Sequence, residues 1–106
     1  MMKANLTNHW FIDAFNNKTN EGVGYTDNNG NSIVINSNVK FDAVGKGIEF
    51  RDGKTSFNVV DFERFTKIEF YSEGVFLEDK EGNMLMVYTK YAEFVKNNLI
   101  EFGCIE

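Results

Sequence analysis

The chain has one histidine, His9, and one cysteine, Cys104. A histidine beside a thiol can form a nucleophile–base pair, in which the imidazole accepts the proton of the attacking group. No local signature of such a pair surrounds either residue, and Cys104 follows a predicted helix end, where a small buried residue is ordinary. One cysteine also excludes an internal disulfide and a multi-cysteine metal site. We therefore predict no catalytic residue and no cofactor, and we do not expect an enzyme.

Residues 27–32, Asp-Asn-Asn-Gly-Asn-Ser, are similar to the start of a calcium-binding loop. An EF-hand loop has glycine at its sixth position and a bidentate glutamate at its twelfth, with a helix on each side. Here Ser32 and Asn38 hold those positions, and strands are predicted on both sides. We interpret the segment as a polar hairpin tip and predict no metal site.

Carboxylates occur in two groups. Glu78, Asp79 and Glu81 flank a predicted hairpin tip, while Asp61 and Glu63 lie in the connection between two predicted strands. General acid–base catalysis needs a carboxyl group whose pKa is shifted by burial or by a close like charge, and hairpin tips are usually hydrated. One interpretation is a solvated surface. The other is an acidic patch that attracts a basic partner, because complementary charge accelerates encounter.

Residues 84–88, Met-Leu-Met-Val-Tyr, form a strand with apolar side chains on both faces. A strand covered on one face only should alternate apolar and polar residues, so something must cover the second face. The favoured interpretation is an internal cover, in which the N-terminal segment with Trp10, Phe11 and Phe15 packs opposite the C-terminal helix. The alternative is a partner surface, for which methionine and aromatic side chains are suited. The predicted partner-binding residues are Phe76, Glu78, Asp79, Glu81, Met84, Met86 and Tyr88.

Period-two alternation along the middle of the chain predicts antiparallel strands. The predicted strands are residues 32–36, 39–43, 48–51, 55–60, 67–71, 75–79 and 84–88. Asn29-Gly30 and Asp52-Gly53 are placed for type I′ turns, in which both central residues have positive φ. We expect a meander of six or seven strands, with consecutive strands adjacent.

Helical periodicity appears at the two ends of the chain. From Tyr91 to Phe102, apolar residues recur at spacings of three and four, which predicts an amphipathic helix packed on the sheet. Thr89 is the expected N-cap and Gly103 the expected left-handed residue after the helix. Residues 6–15 fit either a helix or a strand, and the helix is favoured, with Asn8 as a candidate cap.

Length and charge exclude several classes of protein. The 106 residues are enough for a single domain, 1–106, and their net charge of −5 opposes direct binding to nucleic acid. No apolar run is long enough to span a membrane, and no signal peptide is evident, so we expect a cytoplasmic protein. The absence of proline and glutamine, with many asparagines, is typical of the AT-rich coding of low-GC bacteria, phages and other mobile elements.

The C-terminal half resembles the end of bacterial pleckstrin-homology-like domains. The resemblance lies in the order of residues 62–70 and 74–83, followed by a strand and an amphipathic helix, and it covers about half of the chain. It implies a mainly β (α+β) fold, in which a curved antiparallel sheet or partly open barrel of six to seven strands is capped by one C-terminal helix. The family has no shared catalytic residues. Many eukaryotic members bind phosphoinositides through basic loops, whereas the loops here are acidic or neutral.

These observations favour a non-catalytic protein-binding module. A narrower form of this hypothesis is a phage or mobile-element inhibitor whose acidic surface acts on a host or defence protein, such as one that handles nucleic acid. One alternative is a small-molecule binder or minor enzyme with a pocket between helix and sheet. Another is a homo-oligomeric structural component, such as a part of a virion.

Overall fold

Antiparallel strands provide most of the regular structure in this computed structural model, which describes residues 2–105. The elements are β1 (Met2–Lys3), α1 (Asn8–Phe15), β2 (Gly22–Thr26), β3 (Ser32–Ile35), β4 (Lys40–Val44), β5 (Gly47–Arg51), β6 (Ser56–Val59), a 3-10 turn (Phe62–Arg64), β7 (Lys67–Tyr71), β8 (Gly74–Glu78), β9 (Met84–Tyr88) and α2 (Ala92–Glu101). The expected fold class, mainly β with a C-terminal helix, is confirmed. The seven predicted strands correspond to β3 through β9, and β1 and β2 are additional.

The strands of residues 2–105 form two sheets instead of one meander. The larger sheet has the order β1-β7-β8-β9-β2-β3 and is not closed, and the smaller sheet has the order β4-β5-β6. The expected adjacency of consecutive strands is wrong at the β3–β4 and β6–β7 connections. An uncharged link of four residues, 36–39, leaves the larger sheet after β3, and the 3-10 turn redirects the chain after β6. Consequently β2 takes the place beside β9.

One hydrophobic core takes side chains from both sheets and both helices. On β8 and β9, Leu77 and Leu85 lie opposite each other and are fully buried. Phenylalanine rings fill the space towards α1 and the smaller sheet, where Phe11 contacts Phe15, Phe41 and Phe62 at centroid distances of 4.7 to 5.9 Å. Each such buried ring stabilises the fold by roughly 1.5–3 kcal/mol relative to an exposed one.

Helix α2 begins at Ala92 and docks through its apolar side, as its periodicity predicts. Val95 and Leu99 are fully buried, and Gly103 follows the helix with a φ of 78°. Thr89 precedes the first turn of α2, and its hydroxyl accepts a hydrogen bond from the Tyr91 N–H at 3.0 Å. The expectation that Thr89 is the N-cap is therefore wrong by two residues.

Residues 8–15 are helical, as favoured, but Thr7 caps α1 in place of Asn8. The Thr7 hydroxyl accepts a hydrogen bond from the Trp10 N–H at 3.3 Å. The Asn8 amide instead donates to the carbonyl oxygens of Gly45 and Gly47 at 2.9 and 2.5 Å, which ties α1 to the β4–β5 turn. A local capping role was predicted because the sequence does not show this distant acceptor.

The two predicted type I′ turns are wrong, since only their glycines have positive φ. Gly30 and Gly53 have φ values of 87° and 96°, whereas Asn29 and Asp52 are not in the left-handed region. In each loop an aspartate carboxylate accepts backbone N–H groups: Asp27 from Asn29, and Asp52 from Lys54. These bonds favour an Asx-type turn over the I′ form.

Candidate protein-binding surface

Four apolar side chains lie together on the face of the larger sheet that points away from the core. We call Phe76, Met84, Met86 and Tyr88 the outer patch. The register places Phe76 of β8 directly opposite Met86 of β9, and Met84 and Tyr88 lie two residues to either side of Met86 on the same face. The patch is therefore continuous across two central strands.

The outer patch is not part of the core, so the favoured internal cover is wrong. Phe76, Met84 and Met86 are only half-buried, Tyr88 is 40% exposed, and none of the four belongs to the core cluster or packs against it. Both helices lie on the opposite side of the sheet, where α1 packs beside α2: the Asn98 amide donates to the Ala14 carbonyl oxygen at 2.8 Å.

Phe11 and Phe15, which were expected to cover the second face, are instead fully buried in the core. Trp10 remains partly exposed and contacts Phe102 of the C-terminal segment at a centroid distance of 4.9 Å. Phe11 and Phe15 thus pack towards the smaller sheet and Trp10 packs on the C-terminal segment, so none of the three covers the outer patch.

Glycines extend the outer patch onto β2 by leaving room for the Tyr88 ring. A Cβ atom placed on Gly22 or Gly24 would lie 3.6 or 3.9 Å from that ring, so the ring rests over bare backbone. At Gly74 of β8, a Cβ atom would lie 2.4 Å from the Val87 carbonyl oxygen and 2.9 Å from Met86 Cε. The surface beside the patch is consequently flat and close to the main chain.

Carboxylates border the outer patch on two sides. Glu69 lies opposite Phe76 on β7 and accepts a hydrogen bond from the Tyr71 hydroxyl, and Glu78 lies opposite Met84. Glu81 is exposed at the β8–β9 turn. Lys67 lies opposite Glu78 on the same face, so the patch has an apolar centre and a charged margin in which carboxylates outnumber lysine. Glu69 and Tyr71 are absent from the predicted partner-binding residues, although their period-two phase on β7 places them on this face.

Asp79 is a structural residue and does not belong to the exposed acidic margin. Its side chain is 2% exposed; Oδ1 accepts the N–H groups of Glu81 and Asn83, both at 2.9 Å, and Oδ2 accepts Asn83 Nδ2 at 2.7 Å. Arg64 Nε pairs with Oδ2 at 2.9 Å. Burial disfavours the charged carboxylate, but these hydrogen bonds and the Arg64 guanidinium outweigh that effect and lower the pKa of Asp79.

The same loop construction occurs a second time, at residues 27–31. Both loops have the pattern Asp-x-x-Gly-Asn, and in both the first aspartate accepts hydrogen bonds from the third residue and from the closing asparagine. Because β2 pairs with β9, the two loops lie at the same end of the sheet, where the Asn28 N–H donates to Asn83 Oδ1 at 2.9 Å. The repeated pattern is the sequence signal that could have identified Asp79 as a turn residue.

The other residues considered for chemistry lie apart. His9 is exposed on α1 and pairs with Asp13 at 3.0 Å, one turn along the helix. Cys104 is buried, and burial raises the pKa of its thiol. Asp61 and Glu63 are exposed near the 3-10 turn. Within residues 2–105, no three His, Cys, Asp or Glu side chains converge as a metal site would require.

Two surface depressions flank α1. One, of about 230 Å³, lies between α1 and β4–β5 and includes Phe15, Lys18, Phe41 and Arg51. The other, of about 430 Å³, lies between α1 and α2. Neither is lined by His9, Cys104, Asp61 or Glu63.

Comparisons with protein-family models, with curated proteins and with solved structures find no match for this chain. The resemblance to pleckstrin-homology-like domains therefore stays a prediction. Neither helix in residues 2–105 has the length and hydrophobicity that a membrane-spanning helix needs.

Proposed function

We propose that this chain is a non-catalytic protein-binding module whose outer patch contacts a protein partner in the cytoplasm. The observation that supports the proposal is the position of the outer patch. Four large apolar side chains sit on a sheet face outside the core, partly open to solvent and adjacent through the strand register. Large adaptable side chains of this kind, methionine and aromatic together, are enriched at the centres of protein interfaces.

The margin of the outer patch indicates the charge of the partner. Glu69 lies opposite Phe76 and Glu78 opposite Met84, Glu81 is exposed at the adjoining turn, and the chain as a whole has a net charge of −5. A partner with an apolar patch bordered by lysine or arginine would match both features and would be steered towards this face. The narrower proposal is an inhibitor, from a phage or mobile element, of a host or defence protein that handles nucleic acid, since such proteins carry basic surfaces.

The proposal is tested by affinity capture from a low-GC bacterial lysate, followed by measurement with the purified candidate partner. Met86→Lys alters the centre of the outer patch, whereas Ile100→Lys adds the same charge at an exposed apolar residue of α2. The expected result is a partner whose binding is lost with Met86→Lys and retained with Ile100→Lys. Glu78→Gln should weaken the salt dependence of binding. Equal binding by both lysine variants, or no reproducible partner, would contradict the proposal.

The depression between α1 and β4–β5 is the feature that favours the alternative function, binding of a small molecule. Lys18 and Arg51 beside the rings of Phe15 and Phe41 would suit a small anion with an apolar part. Arg51 is already paired with Asp42 at 2.5 Å, and the volume of about 230 Å³ falls below the range usual for ligand sites. A thermal-shift screen with aromatic carboxylates and nucleotides, with Lys18→Ala as the control, tests this alternative.

A further inference from the structure

We propose that strand β3 pairs in antiparallel orientation with β3 of a second copy, so that two chains form a symmetric dimer with one continuous sheet. This inference does not depend on a partner at the outer patch, because it uses a different edge of the molecule. Strand β3 lies at one end of the larger sheet, where it pairs with β2 on one side only.

The open side of β3 presents unpaired backbone groups. The cross-strand bond from the Asp27 N–H to the Asn31 carbonyl oxygen marks a hydrogen-bonded pair. Such pairs alternate along an antiparallel ladder, so Ser32 and Val34 direct their N–H and C=O groups away from β2. Among residues 2–105, no backbone hydrogen bond from another segment reaches these groups. An edge of this kind is a template for a further strand.

The side chains of β3 lack the features that usually protect an edge. Ile33 is 46% exposed and Val34 is 63% exposed, and the strand contains neither proline nor a charged residue. Residues 28–39 form a run of twelve without any charge. The edge strand β4 carries Lys40 and Asp42, and β6 is uncharged only between Lys54 and Asp61. Edges without charge, bulge or proline are the ones that pair with another chain.

Charge distribution favours a second copy as the occupant. Two molecules of net charge −5 repel each other, but segment 28–39 carries no charge of its own, and the carboxylates that contact it, Asp27 and Asp52, already accept hydrogen bonds from its residues Asn29 and Ser37. A neutral edge offers no attraction to a strongly charged peptide. The outward N–H and C=O groups of one β3 also match those of an identical antiparallel strand, and a pairing of this isologous kind closes after two copies.

The alternation of backbone groups defines the expected register. Hydrogen-bonded pairs in the dimer must join residues that point outward on both strands, and the pairing that places most apolar side chains together sets Val34 opposite Val34 of the second copy. Ile33 then faces the second copy's Ile35 on the core side of the sheet, and Ser32 faces its Asn36. The two exposed valines would meet at the symmetry axis.

The test is the oligomeric state of the full chain by analytical ultracentrifugation and native mass spectrometry over a series of concentrations. Val34→Lys places two like charges at the axis, and Val60→Lys is the matched control, because Val60 is 66% exposed but lies beyond β6. We expect a concentration-dependent dimer for the unmodified chain and for Val60→Lys, and a dimer dissociation constant raised about tenfold or more for Val34→Lys. Circular dichroism confirms that each variant is folded.

A second measurement tests the register. In a Cys104→Ser background, Val34→Cys should form an intermolecular disulfide under mild oxidation, since the Cα atoms of a hydrogen-bonded pair lie about 5.5 Å apart, within the range of a disulfide. Val60→Cys should form little. A monomer at all concentrations, a dimer unaffected by Val34→Lys, or equal disulfide formation by both cysteine variants would overturn the proposal. Loss of the dimer with Val60→Lys alone would assign the contact to β6 and overturn it as well.

Discussion

Replacing Asp79 by asparagine changes one charge and one hydrogen-bond acceptor in the β8–β9 loop with almost no change in volume. In the native loop, Oδ2 of Asp79 accepts Asn83 Nδ2 at 2.7 Å and faces Arg64 Nε at 2.9 Å. If the amide nitrogen of the new side chain takes the position of Oδ2, it faces two other donors, Asn83 Nδ2 and Arg64 Nε. If the new amide oxygen takes that place instead, the N–H groups of Glu81 and Asn83 lose their acceptor. Every orientation of the new side chain therefore leaves buried donors unpaired.

The loss of folding stability depends on how many donors are left unpaired and on how accessible those donors are to water. A buried donor without a partner costs about 1–3 kcal/mol, and Asn83 is buried. The Arg64 side chain is 37% exposed and can turn towards solvent, so its share is small. We expect Asp79→Asn to lower the free energy of unfolding by about 2–3 kcal/mol, which is a large part of the roughly 5–15 kcal/mol typical of a domain.

The matched control is Asp27→Asn in the other Asp-x-x-Gly-Asn loop. Asp27 makes the corresponding contacts in an exposed loop. Its carboxylate accepts hydrogen bonds from the backbone N–H groups of Asn29 and Asn31, and from the side-chain amide of Asn31 at 3.1 Å. Donors released there return to water, so the loss of stability should be clearly smaller. Any general effect of asparagine in this turn pattern is common to both variants.

Urea unfolding followed by tryptophan fluorescence and circular dichroism measures both variants. The slope with urea should stay unchanged, because the surface exposed on unfolding is the same. Equal losses for Asp79→Asn and Asp27→Asn would refute the role of burial. A double-mutant cycle with Arg64→Met should show a smaller effect of Asp79→Asn when Arg64 is absent, and strictly additive losses would remove Arg64 from the network.

The pH dependence of stability should also depend on the ionisation of Asp79. Its pKa in the folded chain lies below the ordinary value of 3.8, so the folded state binds the proton less readily than the unfolded state does. The stabilisation by the charged carboxylate is therefore present above pH 3.8. It is lost as the pH falls through the lower pKa that Asp79 has in the folded chain. Asp79→Asn should unfold with a weaker dependence on acid below pH 4 than the unmodified chain, and parallel curves would contradict this assignment.

Three further outcomes are expected. Gly74→Ala should destabilise the chain by about 1–3 kcal/mol because its Cβ atom would collide with the backbone of β9, whereas Gly24→Ala, with no atom closer than 3.9 Å, should cost far less in thermal unfolding. Leu99→Ala should cost about 2–5 kcal/mol because Leu99 is fully buried, and Ile100→Ala on the exposed side of the same helix should cost much less in urea unfolding. Cys104 should react with a thiol reagent much more slowly in the folded chain than in urea, because Cys104 is buried and the pKa of its thiol is raised. Equal reaction rates would show that the C-terminal segment opens readily.

Local patterns in the sequence were sufficient to predict the secondary structure of most of the chain. Period-two alternation predicts β7, and the continuous apolar run 84–88 predicts β9, at the bounds that the structure has. Periodicity likewise predicts that α2 docks through Val95 and Leu99. Such patterns depend only on which side of an element meets the core.

Long-range pairing was not accessible from the same patterns. That β2 pairs with β9 requires contacts between residues about sixty positions apart, and Gly22-Val23-Gly24 gives a weak strand signal because two of its residues lack a side chain. The side of the sheet on which α1 packs is also a tertiary choice. Asn8 takes part in it through hydrogen bonds to Gly45 and Gly47, which no local spacing indicates.

For the candidate surface, the sequence shows that β9 has apolar side chains on both of its faces. It does not show what covers the second face. Met84 and Met86 lie on the outer face as a consequence of strand phase. Asp79 was grouped with its exposed neighbours because adjacent residues at a hairpin tip share composition. Its ion-pair partner, Arg64, is fifteen positions away and therefore outside the local pattern.

The place of β2 between β9 and β3 has a consequence for synthesis on the ribosome. Strands β4, β5 and β6 can pair as soon as they emerge, since their partners are neighbours in sequence. The larger sheet cannot be joined until residue 88 has left the exit tunnel, because β9 connects the early hairpin to β7 and β8. Until then the nascent hairpin of β2 and β3 has two open edges, and a pause in translation before β9 would prolong the period in which it can associate with other chains.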